Sequence, residues 1–385
     1  PMPEEGTIPR THFTIARPSD MNCHFRQDDV LDLVTPVTAR TFGYAIAMPN
    51  TKPPITSISA CKIYLRNIAK AGGRMMNPNF KPLGTAYVNE QLDPEELRLG
   101  FKENVWVAAK LYPQGGTTGS EHAASSLKAV YPVFQVMQEI GMPLLVHGEV
   151  VGPKDREHSR WVREALYVNT ILPHLKSDFP RLKIVLEHVS TQEAVRYVQR
   201  DESGLLAATI TPHHALLTDA DVSRGGLHTQ ANCMPIIKDA DDRDAIQEAM
   251  ISGDERFFAG TDSAPHDTSN KFANCCSFGA FVAPGALEAY ATVFEKYGLL
   301  NNAKGIMKFE EFVSLNGPRF YGLADPRGTI TMVRNSHNQT IKDRFIVPGR
   351  KILEPNVEII ALFHEDLGLA PDFPWVVGSV EEFAS

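Results

Sequence analysis

Val105–Leu111 reads VWVAAKL, Met142–His147 reads MPLLVH and Leu182–His188 reads LKIVLEH. Each is an apolar run too short for a helix and without the alternation of a strand that faces water, as expected for strands buried on both faces of a parallel sheet. Working outward, runs of the same kind precede them at Met21–Arg26, Tyr44–Met48 and Lys81–Val88, and follow them at Leu205–Thr211 and Arg256–Thr261. Amphipathic stretches of helical period lie between, among them 93–104, 125–140, 191–200 and 239–252. The first opens on Asp93 as N-cap, with Pro94 at the first helical position where no N–H is needed. Eight strand and helix units in one chain predict an α/β fold, a (β/α)8 TIM barrel. No repeat, low-complexity tract or Gly/Ser linker cuts the chain. It therefore reads as one domain over 1–385, with the barrel over about 12–328 and an irregular C-terminal extension over about 329–385.

Composition excludes several classes of function. The chain has 385 residues, with 38 Lys+Arg against 46 Asp+Glu and a net charge of −8, which disfavours nucleic acid or an anionic membrane as partner. A hydrophobic share of 43% with 22% charged residues is that of a packed globular protein rather than a disordered one. No apolar stretch reaches the length of a membrane span. The first ten residues lack the basic start and apolar run of a secretory leader. The five cysteines (Cys23, Cys61, Cys233, Cys275 and Cys276) are odd in number, and the close pair is adjacent in sequence and poorly placed to bridge. Reduced thiols and a cytoplasmic setting are expected.

The ionisable residues concentrate at the ends of the runs. The first run ends Asn22-Cys23-His24-Phe25-Arg26, the second is followed by Pro49-Asn50, and Lys110, His147, His188 and Asp262 close four others. In a barrel these C-terminal ends meet at one mouth, so residues more than two hundred positions apart become neighbours. One histidine at a strand end is ordinarily a packing residue. Three histidines, a lysine and an aspartate at the same mouth make a metal site. Lys110, flanked by Ala108, Ala109 and Leu111, is costly to bury as an unpaired cation. Burial favours its neutral amine, which can take up carbon dioxide to become a carbamate able to bridge two cations; otherwise the side chain snorkels to the strand end. His213-His214, after the seventh run, either touch the site or close the barrel, and Cys275 and Cys276 pack near the mouth.

Nine segments in this order carry a resemblance: RPSDMNCHFR (17–26), AIAMPNTKPPIT (45–56), AAKLYPQGGTT (108–118), PLLVHGEV (143–150), LEHVST (186–191), AATITPHH (207–214), CMPIIK (233–238), GTDSAPH (260–266) and NGPRFYGL (316–323). On these the chain resembles dihydroorotases of the single-domain bacterial and fungal type, in the amidohydrolase superfamily, over about Thr14 to Leu323. The resemblance implies a zinc-dependent hydrolase of cyclic amides that interconverts N-carbamoyl-L-aspartate and L-dihydroorotate in pyrimidine biosynthesis, as a homodimer. It also implies two zinc ions, held by a His-x-His pair, a carboxylated lysine, two further histidines and an aspartate. Carried over, these are Asn22 and His24, carboxylated Lys110, His147, His188 and Asp262. Asp262 would also be the catalytic proton carrier. The substrate carboxylate would be held by Arg26, Asn50 and His266, a loop with Thr117 and Thr118 would close over it, and Met234 would meet the ring.

One ligand departs from the pattern, because Asn22 stands where the family has the first histidine. By the family's arrangement Asn22, His24, Lys110 and Asp262 surround one metal position, and Lys110, His147 and His188 the other. An amide oxygen is a poorer zinc ligand than an imidazole, so weakened occupancy of the first position is expected. Gln27-Asp28 likewise replace the family's Asp-Gly after the arginine. Three outcomes follow: a working dihydroorotase with an adapted or single-metal site, a relative acting on another carboxylated cyclic amide or lactone, or an inactive homologue that binds a ligand or a partner enzyme.

Overall fold

A computed structural model describes residues 10–73, 77–151, 158–336, 344–347, 357–363, 369 and 371–381. Most of the N-terminal stretch read for a leader and part of the C-terminal extension lie outside these. In chain order, β1 (His12–Ala16) precedes β2 (Ser19–Cys23), β3 (Tyr44–Ala47), β4 (Lys81–Tyr87), β5 (Trp106–Leu111), β6 (Leu144–Val146), β7 (Ile184–Leu186), β8 (Leu206–Ile210) and β9 (Phe257–Ala259). Strands β2 to β9 form one eight-stranded parallel sheet in sequence order, and each falls on one of the eight predicted runs. The last strand closes on the first: Cys23 bridges Ser263, and the Asp262 amide donates to Asn22 O at 2.8 Å.

Helices cover the outside of the barrel, and their starts follow their capping residues. Asp93 accepts from the Glu95 amide ahead of Pro94–Lys102, Thr191 from Ala194 ahead of Gln192–Gln199, and Asp239 from Asp242 ahead of Ala240–Ile251. Each cap satisfies an amide that would otherwise lack a partner. The stretch predicted as one helix over 125–140 instead begins as a 3-10 turn, Lys128–Val130, and becomes α-helical over Tyr131–Ile140. Pro132 fits there because first-turn amides have no partner within the helix. Among the described residues no helix is long and apolar enough to cross a membrane.

Inside the barrel, side chains are layered by the two-residue period of the strands. Met21, Ala108, Leu145, Val185, Ala207 and Phe258 belong to one buried apolar cluster. Two residues further along four of these strands stand Lys110, His147, Glu187 and Thr209, all buried. The same pleat that makes the lower layer apolar thus delivers polar groups to the layer above it, at the C-terminal mouth.

Two expectations about the ends are corrected. Among the described residues the extension is not irregular: β10 (Thr329–Arg334), β11 (Arg344–Val347), β12 (Val357–Ile360) and β13 (Trp375–Glu381) are strands. Residues 12–16, counted with the barrel, form β1 and pair antiparallel with β10, which pairs with β13. The reason lies in β1's alternation of exposed and buried residues, with Phe13 and Ile15 inward, which suits a one-sided antiparallel sheet. β11 and β12 make a separate two-stranded sheet.

Candidate active site

His24, Arg26, Asn50, Lys110, Thr117, Thr118, His147, His188, Met234 and Asp262 line one pocket at the mouth of the barrel. The chain ends of six different strands therefore deliver their expected residues to one place. His24 spans two of them, with Nδ1 2.9 Å from Asn50 Oδ1 and Nε2 3.0 Å from Asp262 Oδ1. Asp262 and His188 both sit at positive φ, 47° and 43°, a conformation uncommon outside glycine that turns them off their strand ends.

The lower wall is rich in unmatched polar atoms. Lys110 is 1% exposed, and its Nζ has no hydrogen-bond partner. Burial pushes its pKa down, opposed by the charges of Glu187 and Asp262. His188 Nδ1 is also unpartnered, and its ring lies 4.6 Å from that of His147, whose Nε2 meets Glu149 Oε2 at 2.6 Å. Burial, then the neighbouring His147, holds His188 well below its ordinary pKa, so it is a neutral imidazole with a lone pair to offer. Burial works against ionisation of Asp262. The His24 hydrogen bond and the surrounding histidines prevail and keep it below the ordinary carboxylate range.

Asn22 is fully buried beneath this wall. Its Nδ2 donates to Glu187 Oε2 at 2.8 Å, Thr209 Oγ1 donates to the same oxygen at 2.6 Å, and Asn22 Oδ1 has no partner. The amide nitrogen is thus committed to Glu187 and the oxygen is left as a free acceptor. Gly260 permits this packing: a Cβ there would lie 2.7 Å from Thr209 Cγ2 and 3.2 Å from Asn22 Cβ.

Arg26 and Asn50 line the same pocket. Arg26, at φ 59°, donates Nε to Pro265 O at 2.9 Å, and its Nη2 reaches within 3.0 Å of His266 Nε2, which also lies 2.8 Å from Phe278 O. Burial, then Arg26, lowers the His266 pKa and keeps the ring neutral beside the guanidinium. Asn50 Nδ2 donates to Thr118 O and Thr118 Oγ1 to Phe278 O, each at 3.0 Å, so the threonine loop is tied across the pocket. The Gln27-Asp28 departure is accommodated. Gln27 bonds Lys52 through both ends of its amide, and Asp28 adopts φ 52° where a glycine would be unstrained.

Sequence reading passed over Glu187, Thr209, Glu149, Tyr112 and Phe278. The signal for the first was present: Glu187 follows Val185 by two at the end of the run LKIVLEH, and the two-residue period places its carboxylate on the inner face. Tyr112 and Phe278 line the pocket from loops, where no period marks them.

The donor set fits a divalent metal. Buried Lys110 Nζ, His188 Nδ1 and Asn22 Oδ1 are all unsatisfied, which a folded protein seldom tolerates without an unseen ligand, ion or water.

Comparison with known proteins agrees with the geometry, although no protein-family model matches the chain. The dihydroorotase of Serratia proteamaculans is 45% identical over 309 residues, 80% of this chain and 85% of that protein. The structure of Saccharomyces cerevisiae dihydroorotase in complex with 5-fluoroorotic acid superposes with a TM-score of 0.81 at 27% identity, over 97% of this chain and 100% of that one. Campylobacter jejuni dihydroorotase gives 0.79 at 29% identity, over 98% and 100%. Sequence identity at this level over most of both chains, on a barrel whose mouth gathers these residues, establishes that the chain belongs to the dihydroorotase family.

Proposed function

We propose that this cyclic-amide hydrolase interconverts L-dihydroorotate and N-carbamoyl-L-aspartate, with zinc held at the floor of the pocket. The observation that carries the reading is the pairing of two walls: unpartnered Lys110 and His188 with His147 on one side, Arg26, Asn50 and His266 on the other. His24, Lys110 and Asp262 would hold one ion with Asn22, and Lys110, His147 and His188 the other. Lys110 as a neutral amine can add carbon dioxide, releasing one proton to solvent and becoming a carbamate anion shared by both positions. Zinc, when bound, supplies Lewis acidity toward the ring carbonyl and toward water.

The chain's own groups do the rest. Arg26 grips the substrate carboxylate, with Asn50 and His266 fixing its plane. Thr117 and Thr118 cover the ring and exclude water, and Met234 packs against it. Asp262, held ionised, accepts the proton of the attacking water and delivers it to the ring nitrogen as the amide bond breaks. Asn22 gives the first position a neutral oxygen in place of an imidazole, so that position binds zinc more weakly than the second. A cytoplasmic homodimer, expected from the resemblance, belongs to the same reading.

The test is a ring panel on protein stripped with chelator and reloaded with zinc. Dihydroorotate should open, while dihydrouracil, which lacks the carboxylate, should not. Zinc-dependent opening of dihydrouracil in preference to dihydroorotate would contradict the assignment.

A further inference from the structure

A second cluster of metal-binding type neighbours the Lys110 wall, near enough for His213 to act on the charge of Asp262 and His214 on that of His188. His213 and His214 occupy the short helix Pro212–Leu216 after β8, and Cys233 lies on the loop that leads into Met234. One ligating atom from each lies within 4.8 Å of the others, and the three residues are 0%, 2% and 1% exposed. The two rings are 4.6 Å apart. His213 is the telling member: neither Nδ1 nor Nε2 has a hydrogen-bond partner, so a fully buried imidazole has its whole polar capacity unspent.

The other two members are held in place. His214 Nε2 meets Pro235 O at 3.0 Å and Nδ1 meets Thr211 Oγ1 at 2.8 Å. The Cys233 thiol donates to the same Pro235 carbonyl at 3.2 Å. His214 can offer a nitrogen by releasing one of its two bonds, and the remaining bond then fixes its tautomer, the usual arrangement for a ligating histidine. Cys233 also lines a cavity with Trp161, Leu227, Asn232 and Ile236.

We infer that His213, His214 and Cys233 form a binding site for one zinc-class divalent ion, built from residues other than those proposed to hold the catalytic zinc. Two imidazoles and a thiol favour zinc over the hard cations magnesium and calcium. Binding forms a metal–sulfur bond as the thiol loses its proton to buffer, with no change of oxidation state. The ion would anchor the Cys233–Pro235 loop, and with it Met234, against the helix that follows β8. This inference does not rest on the assigned substrate.

Cobalt(II) tests it without recourse to activity. The residues proposed for the catalytic centre offer only nitrogen and oxygen, so a thiolate-to-cobalt charge-transfer band in the near ultraviolet reports a cysteine site alone. Chelator-stripped protein titrated with cobalt(II) should develop this band, saturating at one equivalent of sulfur-ligated cobalt and bleaching on addition of zinc. Cys233→Ser should abolish it, Cys275→Ser and Cys276→Ser should retain it, and His213→Gln should weaken cobalt binding at least about 10-fold. Absence of the band from the unmodified protein would overturn the inference, whatever the variants' folding. So would loss of the band in Cys275→Ser or Cys276→Ser, or its survival in Cys233→Ser.

Discussion

Replacing Lys110 with methionine should change stability in opposite directions with and without metal. In the metal-free protein Lys110 Nζ is buried without a hydrogen-bond partner, 5.5 Å from the centre of the Tyr112 ring, and burial drives it toward the neutral amine. An unsatisfied buried polar group costs roughly 1–3 kcal/mol. Methionine has nearly the same length and volume without the polar end, so little cavity or strain offsets the gain. Glu187 keeps its bonds from Asn22 and Thr209. With an unfolding entropy of about 2.1 cal/mol/K per residue over 385 residues, a gain of about 2 kcal/mol raises the midpoint by roughly 2–3 °C. Thermal melts in chelator should therefore show Lys110→Met as the more stable protein. Adding zinc at about 100 times its Kd should stabilise the unmodified protein by about 2.7 kcal/mol and reverse the order, because the variant lacks the shared ligand. A variant less stable than the parent in chelator would mean that the Tyr112 ring and the charges of Glu187 and Asp262 outweigh the cost of burying Lys110, which would then not be kept for function at a cost in stability.

Arg26→Met should lower kcat/KM for dihydroorotate by roughly 10²–10⁴, mostly through KM, since two charge-assisted hydrogen bonds of about 1.5–3 kcal/mol each are lost. A KM unchanged from the parent would exclude Arg26 as the carboxylate grip. Gly260→Ala places a methyl 2.7 Å from Thr209 Cγ2 and should destabilise by about 1–3 kcal/mol in urea titrations while weakening zinc binding. An alanine variant with the parent's midpoint and zinc affinity would show that the Asn22 and Thr209 packing does not matter. Lys271→Met removes the ammonium that binds the carbonyls of Gly279 at 2.7 Å, Asn232 at 3.1 Å and Ser277 at 3.2 Å. A loss of roughly 2–4 kcal/mol is expected, with faster proteolysis of the 270–279 loop; unchanged urea midpoints would count against it.

The barrel was legible because its strands are buried on both faces, so each reads as a bare apolar run, and polar residues at the run ends mark the mouth. VWVAAKL even discloses the inner face, since Ala108 and Lys110 share it. Sequence does not disclose which polar groups satisfy one another. Glu187 and Thr209 acquire meaning through contacts with residues distant in sequence, among them Asn22, whose side chain meets Glu187 across 165 positions. The extension was misread for the same reason. TITMVR at β10 is a fair strand, but its partner is β1, more than three hundred residues earlier, as the Thr14 to Thr331 hydroxyl contact at 2.7 Å shows. The departure at Asn22 was visible from its residue type alone. That its amide nitrogen is spent on Glu187 and its oxygen left unpartnered required the structure.

The central claim is that this mouth catalyses dihydroorotate chemistry despite Asn22. The direct measurement is turnover of dihydroorotate and carbamoyl aspartate, in both directions, with zinc titrated into stripped protein beside an Asn22→His variant. The unmodified protein should turn over in both directions, and the variant should reach half-maximal activity at roughly 10-fold or more lower zinc, because changing a direct ligand costs at least what losing a hydrogen-bond partner of a ligand does. An unmodified protein inactive at every zinc concentration would contradict the central claim, whether or not the histidine variant is active.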